Sequence, residues 1–257
     1  MTDATNTVTP VSTAGGAGAG ADAATAPTKT PIRVVFCVPG RTFSREFLIS
    51  WSSLLSECIG RGVTPILSQQ YSSVVHFARA KCLGADVTKG AAQKPFQGQL
   101  PYDYIMWVDS DMVFNSADFF KLLESPHVVT SGLYMMDDRK SYAVVKHWDV
   151  AHFRENGAFQ FMDQAAVDAE ADRYVPVSYA GMGWMLIKAG ALESLPYPWF
   201  THDLQRIPPG TEAPEAGVEM VDMCSEDVAL CRNFAEAGIR VHVDKTCRVG
   251  HLKSFVI

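Results

Sequence analysis

The amino-acid sequence predicts an α/β chain: a single domain with a central, mostly parallel sheet flanked by helices. Three observations predict it. Ile32–Val38 and Tyr104–Val108 are short, almost continuously apolar runs, as expected of strands buried on both faces. Between them Phe47, Leu48, Trp51, Leu54, Leu55, Cys58 and Ile59 recur at spacings of three and four, the pattern of a helix with one apolar stripe. Strand and helix patterns then alternate, which calls for crossover connections and parallel pairing.

Order is expected to begin at Pro31. Residues 1 to about 30 are mostly Ala, Thr and Gly, with no aromatic residue and no apolar period, and read as a flexible tail. The tail lacks the basic start and apolar centre of a secretory signal. The first strand ends at the turn Pro39-Gly40-Arg41, and Ser44 caps the first helix, which Gly60 and Gly62 stop. Val63–Leu67 reads as a strand and Val74–Leu83 as a helix carrying Arg79. A Gly/Gln/Lys/Pro stretch from 88 to 101 reads as a loop. Tyr104–Val108 runs directly into Asp109-Ser110-Asp111. A helix over Ala117–Leu123 and a strand over Val128–Tyr134 follow. Residues 140–175 are the least legible, with short strands expected at Tyr142–Lys146 and Phe159–Met162. Beyond Tyr179–Ile187 come a helical Ala189–Leu195, a Pro-rich loop over 201–222, a helix from Glu226 to Ala237 capped by Ser225, and a last strand through Ile239, Val241 and Val243.

The composition narrows the function. Hydrophobic residues make up 47% of the 257, which excludes a disordered chain overall. No apolar run approaches the roughly 18 residues of a membrane span. With 22 basic and 28 acidic residues the formal charge is −6, and no Lys/Arg block stands out, so a nucleic-acid backbone is a poor partner. The six cysteines form no CxxC pair and read as buried free thiols, which favours a reducing, cytoplasmic setting. Oligomeric state is not legible.

Four segments carry potential chemistry. Asp109 and Asp111, at i and i+2 after a buried strand, can present hard oxygen ligands to one divalent cation, though a turn cap and a solvated acid fit the same spacing. Glu226-Asp227 opens a helix, which suits either the helix dipole or a general base on a rigid mount. His251, a structural histidine by default, could add a nitrogen to an N/O site suited to Mn²⁺ or Mg²⁺. Glycines at Gly181 and Gly183 would let backbone approach a ligand, and Trp184 could stack on a sugar face or belong to the core. His242 reads as a surface residue.

Taken in order, Val38-Pro39-Gly40-Arg41, Ala78-Arg79, Trp107 to Met112, Ala180 to Ile187, Pro198-Trp199-Phe200, Ser225-Glu226-Asp227-Val228 and Val249-Gly250-His251-Leu252 resemble a GT-A-type nucleotide-sugar glycosyltransferase of the family-2-like kind. The resemblance covers about residues 32–253. It implies a single GT-A-like, Rossmann-type domain over 31–257, with a nucleotide-binding half (31–112) and an acceptor half (113–257). It further implies Mn²⁺ or Mg²⁺ on Asp109, Asp111 and His251, with Asp109 free to take the ribose instead. Donor contacts would come from Pro39, Gly40, Arg41, Arg79, Ser110, Gly181, Gly183 and Trp184. Asp227, with Glu226 beside it, would be the base of an inverting transfer from a UDP- or GDP-linked sugar to an acceptor hydroxyl. Two other readings share the fold: a sugar-nucleotide nucleotidyltransferase, which wants a longer Gly-rich basic loop than Pro39-Gly40-Arg41, and a non-catalytic nucleotide- or glycan-binding module.

Overall fold

The computed structural model describes residues 9–10, 30–207 and 219–253. In chain order the strands and helices are β1 (Thr9–Pro10), β2 (Ile32–Pro39), α1 (Arg45–Gly60), β3 (Val63–Gln70), α2 (Val75–Cys82), β4 (Tyr104–Val108), β5 (Met112–Val113), α3 (Ser116–Leu123), β6 (Val129–Leu133) and β7 (Val144–Val145). They continue with α4 (Val150–Asn156), α5 (Gln164–Asp168), β8 (Tyr174–Val177), β9 (Tyr179–Ala180), β10 (Trp184–Lys188), β11 (Leu204–Ile207), β12 (Met220–Met223), α6 (Glu226–Glu236), β13 (Val241–Arg248) and β14 (Gly250–His251). The expected tail, residues 1 to about 30, lies outside the described residues apart from β1 and Thr30.

The expected α/β architecture is the one the chain adopts. The main sheet runs β1-β3-β2-β4-β10-β6-β13-β8. β2, β3, β4, β6 and β13 point one way, while β1, β8 and β10 oppose them. Strand alternation divides the core in two. Val34, Phe36, Met106, Val108, Trp184 and Leu186 face one side, where they meet Phe47 and Leu54 of α1 and Phe119 and Leu122 of α3. Val35, Cys37, Ile105, Trp107, Met185 and Ile187 face the other, against Cys82 of α2 and Leu230 and Phe234 of α6. Strands apolar at every position are thus explained by helices on both faces. All six cysteines are free and buried.

Several local expectations need correction. Phe159–Met162 is not a strand. It is an irregular segment flanked by two short helices, α4 capped by Asp149, which accepts from the His152 N–H, and α5 capped by Asp163, which accepts from the Ala166 N–H. Local side-chain caps of this kind set helix starts that apolar spacing does not reveal. Ala189–Leu195 contracts to a 3₁₀ turn at Leu192–Ser194, since Gly190 sits at φ +97° and Pro196 follows. The stretch 88–101 begins in one 3₁₀ turn, Val87–Lys89, and contains a second, Pro95–Gly98. The Pro-rich loop includes a hairpin, β11 against β12, and its residues 208–218 lie outside those described.

Two small pairings position the site. β14 pairs with β5 so that His251 lies opposite Met112, and β9 pairs with β7, setting Tyr179 opposite Val145.

Candidate active site

β2, β3, β4, β6 and β13 all end at one edge of the sheet, and β10 begins there, because Trp184 is in register with Val108. The carboxyl ends of parallel strands are where open α/β sheets bind ligands. Here the chain leaves β4 in a tight turn: the Asp109 N–H donates to Gly183 O at 3.0 Å and the Met112 N–H to Asp109 O at 3.1 Å. Gly40 is pressed against this turn. Its φ is +153°, and a Cβ there would lie 2.5 Å from Ser110 Cβ, so only glycine fits. Arg41 beyond it is exposed, with its guanidinium 5.7 Å from the Tyr71 ring centroid.

Asp109 turns inward. Its Oδ2 accepts from Arg79 Nη2 at 3.1 Å, and Arg79 Nη1 lies 3.0 Å from Oδ1 as an ion pair without hydrogen-bond alignment. Arg79 Nε donates to Glu226 Oε1 at 3.0 Å. Arg79 is only 3% exposed and Glu226 6%, so one buried cation joins α2, β4 and α6. Burial works to lower the Arg79 pKa, but the Asp109 and Glu226 charges outweigh it and hold it above the ordinary arginine value.

Asp111 turns outward. Its Oδ2 lies 3.0 Å from His251 Nε2 and 3.7 Å from Lys253 Nζ. His251 Nδ1 is 3.0 Å from Met135 O, which orients the ring. Burial works to raise the Asp111 pKa, yet the His251 hydrogen bond and the charges of His251 and Lys253 leave it lowered. The same hydrogen bond raises the pKa of His251. Beside them a cavity of about 380 Å³ is lined by Met135, Asp137, Arg139, His251 and Lys253.

Asp227 stands at the start of α6. Its Oδ2 accepts from the Tyr179 hydroxyl at 2.8 Å, and its Oδ1 accepts from the Val228 N–H at 2.9 Å and from the Ser225 hydroxyl. Burial pushes the Tyr179 pKa well up, and Asp227 adds to that, so Tyr179 remains a donor. Tyr134 sits at the centre of the arrangement. It is buried, feels the charges of both Asp109 and Asp227, accepts from the Gly183 N–H at 3.2 Å, and meets the His251 ring edge-on at 5.4 Å.

These placements revise several expected roles. Trp184 is fully buried, with its ring against Phe114 at 4.4 Å, and presents no face to a sugar. Gly181 and Gly183 make room for Tyr134: a Cβ on Gly181 would fall 2.0 Å from the Tyr134 hydroxyl, and one on Gly183 3.1 Å from Tyr134 Cζ. Arg79 lies buried between Asp109 and Glu226, and neither Arg79 nor Glu226 is exposed to the sheet edge. Asp109 is committed to Arg79, and among the described residues no three His, Cys, Asp or Glu side chains are arranged as a metal site. His242 is not a bare surface residue; its ring stacks on His127 at 3.5 Å. Tyr134, Tyr179 and Lys253 are site residues that sequence reasoning passed over. Tyr179, two residues before Gly181, was within reach of it, whereas nothing local marks Tyr134.

Asp111 and His251 do suit a cation as a pair. A carboxylate oxygen and an imidazole nitrogen form a mixed donor set for Mn²⁺ or Mg²⁺. Their 3.0 Å separation is that of the hydrogen bond between them, which would have to give way to a cation placed between the two.

No family model and no curated protein sequence matches the chain. Among solved structures, A197 from STIV is similar over 87% of both chains, at 16% identity and a TM-score of 0.50, a likeness of fold alone. The inositol-1-phosphate CTP transferase from T. maritima aligns over 88% of this chain and 91% of its own, at 8% identity and a TM-score of 0.39. GalNAc-T7 with UDP, GalNAc and Mn²⁺ aligns over 89% of this chain and 45% of its own, at 10% identity and a TM-score of 0.45. Among the described residues no helix is long and apolar enough to cross a membrane.

Proposed function

We propose that the chain is a GT-A-like glycosyltransferase that moves a sugar from a nucleoside-diphosphate donor, UDP- or GDP-linked, to an acceptor hydroxyl with inversion. The observation that carries this reading is the contact between Asp111 and His251, 140 residues apart in sequence and 3.0 Å apart in space, at the ligand-binding edge of the sheet. Asp111 and His251 would hold Mn²⁺ or Mg²⁺, and such a cation would supply positive charge to stabilise a leaving diphosphate.

Asp227 supports the acceptor half. Three donors fix its orientation and leave lone-pair capacity on Oδ2 for an incoming hydroxyl. In the proposed step Asp227 takes the hydroxyl proton as the oxygen bonds to the anomeric carbon. The bond from that carbon to the diphosphate oxygen breaks, and its electron pair leaves with the nucleoside diphosphate. Arg79 is a positioning residue: it ties the Asp109 turn to the residue beside Asp227, so donor and acceptor edges keep one spacing.

The test is nucleoside-diphosphate release over common UDP- and GDP-sugars with Mn²⁺, with and without EDTA, followed by Asp227→Asn. We expect Mn²⁺-dependent release with one donor class. Asp227→Asn should reduce transfer by about 10² to 10⁴ with donor binding near wild type. Full activity in EDTA would reject the cation, and a product of retained anomeric configuration would reject Asp227 as base.

A further inference from the structure

A second cavity, of about 220 Å³, lies where the β11–β12 hairpin approaches α4 and α6, and it is lined by Trp148, Val150, Phe159, Ile207, Arg206 and Arg232, among others. We propose that it is a subsite for a pyranose ring carrying an anionic group, a carboxylate or a phosphate. This rests on the reading of Asp227 as the acceptor-side residue and assigns the acceptor's chemistry.

The walls set the class of ligand. The Trp148 and Phe159 rings meet at 4.6 Å and 62° and form an apolar wall of the kind that takes the C–H face of a sugar. The two guanidinium groups differ. Arg206 is paired with Glu219 at 3.2 Å. Arg232 is half-buried and has no ion-pair or hydrogen-bond partner among the described residues. A guanidinium partly withdrawn from water beside aromatic rings, with no ion-pair partner among the described residues, favours an anion that matches its planar fork. The volume is below the usual range for drug-sized ligands and fits one ring, not a nucleotide.

The cavity is also joined to Asp227. Arg232 follows Asp227 by five residues on α6, about 7.5 Å along the axis and about 140° around it, so the two side chains leave different faces of the helix and the connection runs through Trp148. Trp148 contacts the Tyr179 ring at 6.3 Å, and the Tyr179 hydroxyl donates to Asp227. An acceptor that brings its reacting hydroxyl to Asp227 can therefore seat a neighbouring acidic ring against Trp148 and Arg232.

Calorimetric titration of the full chain with glucuronate, glucose 6-phosphate and neutral glucose tests this directly. One or both anions should bind, with glucose weaker by about tenfold or more; which anion binds distinguishes carboxylate from phosphate. Arg232→Gln should abolish that preference and Arg232→Lys should keep part of it. If Arg232→Gln does not fold, the wild-type ratio and the Lys variant still decide the matter. Neither anion exceeding glucose, or an Arg232→Gln protein that binds as wild type does, would overturn the subsite. Anion preference without any sugar transfer would leave the subsite standing and remove the transferase reading. Transfer to neutral acceptors without anion preference would do the reverse.

Discussion

Asp109 and Asp111 leave the same turn in opposite directions, and their surroundings have little in common. Asp109 faces a buried arginine shared with Glu226, in an interior closed by Trp107 and α6. Asp111 faces a half-buried histidine and a lysine beside an open cavity. The inner side sets one buried cation between two carboxylates, and its groups are mostly inaccessible. The outer side keeps a nitrogen and an oxygen that are only partly buried. The two acids of one turn thus differ in partner: the first pairs with Arg79 in the interior, and the second with His251 and Lys253 outside it. Tyr134 stands between the two sides, its hydroxyl on the Gly183 N–H and its ring edge toward His251.

The difference can be broken most severely from the inner side. Arg79→Met leaves Asp109 and the buried Glu226 without their cation, and losing one partner of a buried ion network typically costs about 3–5 kcal/mol. Denaturant unfolding should show a loss in that range; a change below about 1 kcal/mol would mean that the two acids find other partners. An intermediate effect is expected at the divider. Gly181→Ala places a methyl group against the Tyr134 hydroxyl, and overpacking of this kind costs about 1–3 kcal/mol. Unfolding midpoints check that value, and restored stability in Gly181→Ala/Tyr134→Phe would trace the cost to the hydroxyl. The smallest effect belongs to the outer side. Lys253→Ala removes a partly exposed charge 3.7 Å from Asp111 and 3.2 Å from Asp137, and such pairs contribute about 0–1 kcal/mol. Its melting temperature should stay close to wild type. A loss as large as that of Arg79→Met would erase the distinction between the sides.

What was legible in the sequence follows the range of the forces involved. Strand β4 was read at its observed limits because five successive apolar residues leave no other role for that segment. Helix α6 was read to within a residue from Ser225, the acids after it and Gly238. Helices α4 and α5 were missed because each is under eight residues and rests on a single capping aspartate. Among the candidate residues, Asp111, His251 and Asp227 stand out in the sequence by residue type and by their place after a strand or at a helix start, whereas the partners of Arg79 are 30 and 147 residues away and no local pattern announces them.

By itself, then, the sequence determined which segments are buried strands, which helices carry an apolar stripe, and that acids and a histidine stand at the ends of the sheet strands. Those properties depend on hydrophobic period and local capping, which act over a few residues. Only the tertiary structure decided how the acids are used. It gave Asp109 and Glu226 to Arg79, gave Asp111 to His251, turned Gly181 and Gly183 into clearance for Tyr134, and put Trp184 in the core. Charge pairing and steric clearance are set by distances between residues far apart in the chain, and those distances exist only after the sheet has formed.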